Sequence, residues 1–222
     1  MFQALLDRHK RTLLLYRSIE DLRTMLGNEE EMFDAASAYL IHGTETPNVD
    51  VHRRDEDINA GERMVRRAVL QHLALNPKQD LPGSLVLVSI VIYVERIGDY
   101  TKDLWDLRGD LTGSLRPEWV EALGGLRDQI MPMFAWCAAA VCEDDVESGN
   151  SAMDAKRRVE ELSDSLLDVL LNDETATVAP AIICSLATHY MRRISAHLSN
   201  IASSVVAPLD QIGFDEQGGP TE

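Results

Sequence analysis

An all-α fold of six helices, arranged as two tandem three-helix bundles, is the class this sequence predicts. Three observations predict it. Apolar residues recur at spacings of three and four along six long stretches. No segment of any length alternates with a strand-like period of two. Leu, Ala, Glu, Arg and Met, which favour helix, are plentiful.

Residues 3–41 read as one long helix or as a helix broken at Gly27-Asn28, with Leu5, Leu13, Ile19, Leu22, Leu26, Phe33, Ala36 and Leu40 inward. The stretch 42–48, HGTETPN, breaks it. A second helix runs from about Asp50 to Leu75, with Ile58, Val65 and Val69 inward. Residues 76–83 hold two prolines and form a loop. The third helix carries residues 85–104, LVLVSIVIYVERIGDYTKDL, and ends near Arg108-Gly109. The break at 110–119 is the natural midpoint. A fourth helix spans roughly 118–142, with Pro132 as an internal kink. The acidic segment 143–150 reads as a turn, and a fifth helix covers 151–171. The sixth starts at Thr177 or Pro180 and runs to Val206. The polar, Gly-rich tail reads as disordered.

The two halves align with each other at one offset. Tyr93-Val94-Glu95-Arg96-Ile97 falls on Tyr190-Met191-Arg192-Arg193-Ile194, an offset of 97 residues. The same offset places Leu104 on Ile201, Asp103 on Asn200 and Asp57 on Asp154. The units are residues 1–109, residues 110–210 and a tail from 211 to 222. Their chemistry differs: Glu95, Asp99 and Asp103 in the first half face Arg192, Ala196 and Asn200 in the second.

Charge excludes several functions. The net charge of −16 disfavours nucleic acid and anionic lipid, which need clustered Lys and Arg. Three cysteines form no C-x-x-C pair, which fits a reduced compartment. The N-terminal MFQALLDRHK is charged where a signal peptide is apolar, and the longest apolar run is about half a membrane span. The expectation is a cytoplasmic protein without direct membrane insertion.

Glu95, Asp99 and Asp103 stand four apart, so one helix face carries all three. Stacked like charges repel by roughly 0.2–0.5 kcal/mol per pair when exposed. A cation relieves this, and an all-oxygen set suits hard ions. One helix cannot surround an ion. The second helix offers Asp55 and Glu62 on the face of Ile58, Val65 and Val69, with Asn59 beside them. The competing reading is a set of solvated acids paired locally with Lys102 and Arg96. No H-E-x-x-H or E-x-x-H pattern appears. His197 reads as packing, Glu161-x-x-Asp164 as a charged helix face, and Trp105, Trp119 and Trp136 as anchors.

Glu95-Arg96-Ile97-Gly98-Asp99, preceded by DLPGSLVLVSIVIYV, and Asp57-Ile58-Asn59-Ala60-Gly61-Glu62 on the helix before it resemble the PhoU family, whose unit is a twice-repeated three-helix bundle with E-x-x-x-D on its last helix. Residues 190–206 resemble a degenerate second copy. The resemblance implies a cytoplasmic, often dimeric regulator of phosphate uptake and phosphate signalling that contacts a transporter or its sensor kinase. It also implies a metal site, of iron, zinc, magnesium or manganese, carried over to Glu95, Asp99 and Asp103. Together with Asp55 and Glu62 these form the expected metal set, with no catalytic residues and no enzyme activity. A metal-free helical scaffold and a metal-dependent phosphoanhydride hydrolase are the alternatives.

Overall fold

The computed structural model describes residues 13–43 and 49–213. It contains six helices: α1 (Leu13–His42), α2 (Val51–Leu75), α3 (Leu81–Asp110), α4 (Pro117–Glu143), α5 (Val146–Leu171) and α6 (Val178–Val206), then a 3-10 turn, Leu209–Gln211. No strand occurs among the described residues. The predicted start of the first helix at 3–12, the breaker at 44–48 and the tail from 214 lie outside them.

Local chemistry sets the helix ends. Asp50 caps α2 by accepting from the Arg53 N–H at 3.0 Å. Asp145 caps α5 through the N–H groups of Glu147 and Ser148. Pro82 and Pro117 occupy the first turns of α3 and α4, where a missing N–H costs nothing. Asp80 and Asp144 adopt positive φ, of 56° and 59°, to turn the chain into the next helix.

Of the two readings of the first helix, the unbroken one holds: α1 is continuous at Gly27-Asn28, and a Cβ on Gly27 would meet nothing within 4 Å. Three sequence expectations shift. α5 starts at Val146 rather than 151, because the Asp145 cap reduces the acidic turn to two residues. α3 starts at Leu81, so Pro82 and Gly83 belong to the helix rather than the loop. The tail boundary at 211 falls inside a packed turn: Ile212 is buried, and the Gly213 N–H donates to Ser203 Oγ at 3.3 Å.

Within each triple, α1–α3 and α4–α6, every helix packs on the other two, and the triples meet along α3–α6 and α1–α4. One contiguous hydrophobic core runs through both. The offset of 97 holds across all three helix pairs. Leu22, Leu26, Phe33 and Leu40 correspond to Trp119, Leu123, Ile130 and Cys137, and all are buried. Ile58 corresponds to Ala155, and Val94 and Ile97 to Met191 and Ile194, again all buried. α3 is long and apolar enough to cross a membrane by length and composition. Its apolar face, including Val86, Ile90, Val94 and Ile97, is core here.

The α3–α6 seam is pinned by His197. Its ring stacks on Tyr93 and on Tyr100, each at 5.7 Å and 21°. Neither ring nitrogen has a hydrogen-bond partner. Burial, reinforced by the Arg193 and Arg96 guanidinium groups, pushes its pKa down to about 3. The imidazole is therefore neutral in the fold but protonates in the unfolded chain below its ordinary 6.5. A depressed folded pKa contributes stability above the unfolded value and loses it as pH falls. Denaturant unfolding is expected to show stability dropping between about pH 6.5 and 3, with a smaller drop in His197→Phe. An identical pH profile for both proteins would contradict this account.

Candidate cation site at the junction of α1, α2 and α3

Carboxylates from α1 and α2 converge on one glycine of α3. Gly98 stands between Glu95 and Asp99. A Cβ built there would sit 3.0 Å from Glu29 Oε1 on α1 and 3.4 Å from Asp55 Oδ1 on α2. The glycine in E-R-I-G-D therefore leaves room for two acids from neighbouring helices. Glu62, on α2, completes the group with its side chain 13% exposed. Glu95 and Asp99 are half-buried, whereas Asp103 lies at the exposed rim.

Glu29 is the residue that sequence reading missed. It is fully buried, and neither carboxylate oxygen makes a regular hydrogen bond. Burial first, then the nearby Asp55 and Asp99, raise its pKa well above the ordinary value; the Gly98 backbone N–H opposes the shift. The signal was its spacing: Glu29 takes the core position between Leu26 and Phe33 on the buried face of α1. A run of three acids, Glu29 to Glu31, disguised it as a solvated patch.

A lysine supplies the positive charge. Lys102 Nζ donates to Asp55 Oδ2 and Asp99 Oδ1, both at 3.0 Å, and bridges α2 to α3. Burial works against its charge, but these two hydrogen bonds prevail and hold its pKa above the ordinary value. Asn59 Nδ2 adds a long contact of 3.4 Å to Asp55 Oδ2. Asp55 Oδ1 has no partner. Glu62 pairs with Arg66 at 2.9 Å. Partial burial, then Asp99 and Glu62, raise the pKa of Glu95, with Arg96 opposing. Asp103 is raised by partial burial, against the pull of Lys102, with Asp99 and Asp106 adding to the rise.

The donor set fits a hard cation in kind: every ligand is oxygen, and three buried oxygens are unpartnered. It does not fit in arrangement. Among the described residues, no group of three or more His, Cys, Asp or Glu side chains is placed to hold a metal ion. The ammonium of Lys102 takes the bridging position instead.

The second half has no counterpart. At the same offset, Glu29, Asp55, Glu62 and Asp99 become Leu126, Ala152, Val159 and Ala196, all buried. Residues 22–107, which contain all six acids, match the family model described as PhoU domain. Over this segment the chain is similar to PhoU. It is 24% identical over 196 residues to the phosphate-specific transport system accessory protein PhoU homolog of Synechocystis sp., covering 86% of this chain and 87% of that one. The fold matches PhoU from Pseudomonas aeruginosa with a TM-score of 0.75 at 21% identity, over 93% of this chain and 97% of that chain. It also matches the phosphate transport system regulatory protein PhoU from Streptococcus pneumoniae, with a TM-score of 0.75 at 16% identity, over 86% and 93%. The PhoU-like motif that sequence identified thus lies inside the matched domain, and the second half carries the same scaffold with its acids replaced.

Glu29→Leu copies the residue of the second half. A raised folded pKa leaves stability intact below the ordinary value of 4.5 and removes it as pH rises. The variant is expected to be more stable than wild type at pH 7, by about 1–4 kcal/mol, with the gap closing below pH 4.5. Urea unfolding at both pH values measures it. A less stable variant at pH 7 would overturn this reading of Glu29.

Proposed function

We propose that this chain regulates phosphate uptake and phosphate signalling by binding a transporter component or its sensor kinase, as a cytoplasmic homodimer, rather than by catalysis. The observation that carries this reading is the PhoU domain match, which encloses the complete acid cluster of α1, α2 and α3. The name of the Synechocystis relative, a transport-system accessory protein, supports the same assignment. Side-chain chemistry is consistent with it. All three cysteines are buried, and burial pushes Cys184 up to about 12, so these thiols are poor nucleophiles. The strongly acidic exterior favours a basic partner surface.

The test is a pull-down with the full chain from cells grown at low and at high phosphate. A transporter or kinase component is expected in at least one state, with recovery reduced by Glu95→Ala/Asp99→Ala. Recovery of neither component in either state would overturn the reading.

A cation-dependent form of this regulator requires the acids to rearrange from their present positions, and the unpartnered oxygens of Glu29 and Asp55 are what favour it. In this form Asp55, Glu62, Glu95 and Asp99 would hold an iron, zinc, magnesium or manganese ion, with Asp103 at the rim and Lys102 displaced. The ion would neutralise the carboxylates and tie α2 to α3. Lys102 already performs that task, so a metal competes with it. Lys102→Met is expected to bind Mn²⁺ more tightly than wild type, by about tenfold or more. It should also gain a Mn²⁺-dependent rise in Tm that Asp55→Asn abolishes. Elemental analysis showing no metal in wild type or variant would remove the metal from the proposal.

A further inference from the structure

At one of the first half's acid positions, that of Glu95, the second half carries the opposite charge. Arg192 replaces Glu95, Arg193 replaces Arg96, and His189 replaces Ile92. These three side chains line an open cavity of about 640 Å³, together with Tyr100 of α3, Leu167 of α5 and Leu186 of α6. Small-molecule sites occupy this size range.

The cavity concentrates positive charge on a chain whose net charge is −16. The Arg193 guanidinium lies 5.8 Å from the centroid of the Tyr100 ring. It makes no ion pair with any described residue. Arg192 Nη1 holds Asp164 Oδ1 at 2.5 Å, which orients it while leaving its other donors free. His189 meets Tyr100 edge-on at 6.5 Å. Burial, then Arg193 and Arg192, lower the pKa of His189.

Two adjacent guanidinium forks suit a doubly charged tetrahedral oxyanion better than a single carboxylate. The remaining wall sets Tyr100, Leu167 and Leu186 beside the polar Ser185 and Thr188, so an organic portion gains aromatic and apolar contact that inorganic phosphate lacks. We propose that this cavity binds a phosphorylated small molecule, with the phosphoryl group on Arg192 and Arg193 and a flat organic portion against Tyr100. The degenerate half of the duplication is then an anion site, opposite in sign to the acid cluster of the first half.

Calorimetry with purified full-length protein tests this, using AMP and inorganic phosphate as separate probes. The proposal is independent of the transport reading, since it needs no partner protein. AMP is expected to bind saturably with a Kd below about 1 mM and more tightly than inorganic phosphate. Arg193→Gln and Arg192→Gln are each expected to weaken AMP about tenfold. Arg53→Gln, an equal loss of charge on exposed α2, is expected to leave binding unchanged. Circular dichroism verifies that each variant is folded. Absence of saturable AMP binding, tighter binding of inorganic phosphate than AMP, or equal AMP affinity in Arg193→Gln and wild type would each overturn the proposal.

Discussion

The packing of α3 against α6 is the contact on which the rest of the molecule depends. Each helix is the last of its triple and buries one stripe against its own bundle and another against its counterpart. His197 between Tyr93 and Tyr100 joins the two where the motifs lie. With α6 occupying one side of α3, the acids of α3 are left facing α1 and α2. With α3 occupying one side of α6, Arg192 and His189 are left facing the open cavity beside α5. Both candidate sites are therefore consequences of the same seam. The α1–α4 contact is secondary and more polar: Arg127 reaches Asp34 and Ser37, and Arg23 reaches Glu143.

The duplication separates scaffold from chemistry. Buried apolar pairs recur at the same offset in all three helix pairs, so the packing pattern is retained. The acids are not. Where the first half buries Glu29 and Asp55, the second buries Leu126 and Ala152, which need no compensating charge. Apolar residues at those positions satisfy the fold. The burial cost carried by the first half at Glu29 and Asp55 is consequently not required by the packing pattern that the two halves share. Lys102 offsets part of that cost through its two hydrogen bonds, but reaches neither oxygen of Glu29.

Much of this was legible in sequence, and what was missed has physical reasons. Six amphipathic stretches with clear breakers specify six helices. Helix starts were displaced where a side chain caps further upstream than the hydrophobic pattern begins, as Asp145 does for α5. Glu95, Asp99, Asp55 and Glu62 followed from spacing and from an inward-facing stripe. Asp103 is exposed while Glu95 and Asp99 are half-buried, because a row of residues four apart drifts by about 40° per step around the helix. Two steps carry Asp103 to the rim. Glu29 was hidden by its neighbours Glu30 and Glu31, although its register with Leu22, Leu26 and Phe33 placed it in the core. Lys102 was visible as a partner for Asp99 three residues away. Its bridge to Asp55, 47 residues earlier, required tertiary structure. The cavity of Arg192 and Arg193 was legible only as a lost motif, because its other walls come from α3 and α5.

The contiguous core has a consequence for how the repeat behaves as a unit. A three-helix half released from its partner would expose the α6-facing side of α3 or the α3-facing side of α6 to water, and with it the apolar residues of the shared core. Neither half is a portable module. With one core shared between them, the two copies are expected to unfold together, so a destabilising change in the degenerate half also lowers the population of the folded acid cluster.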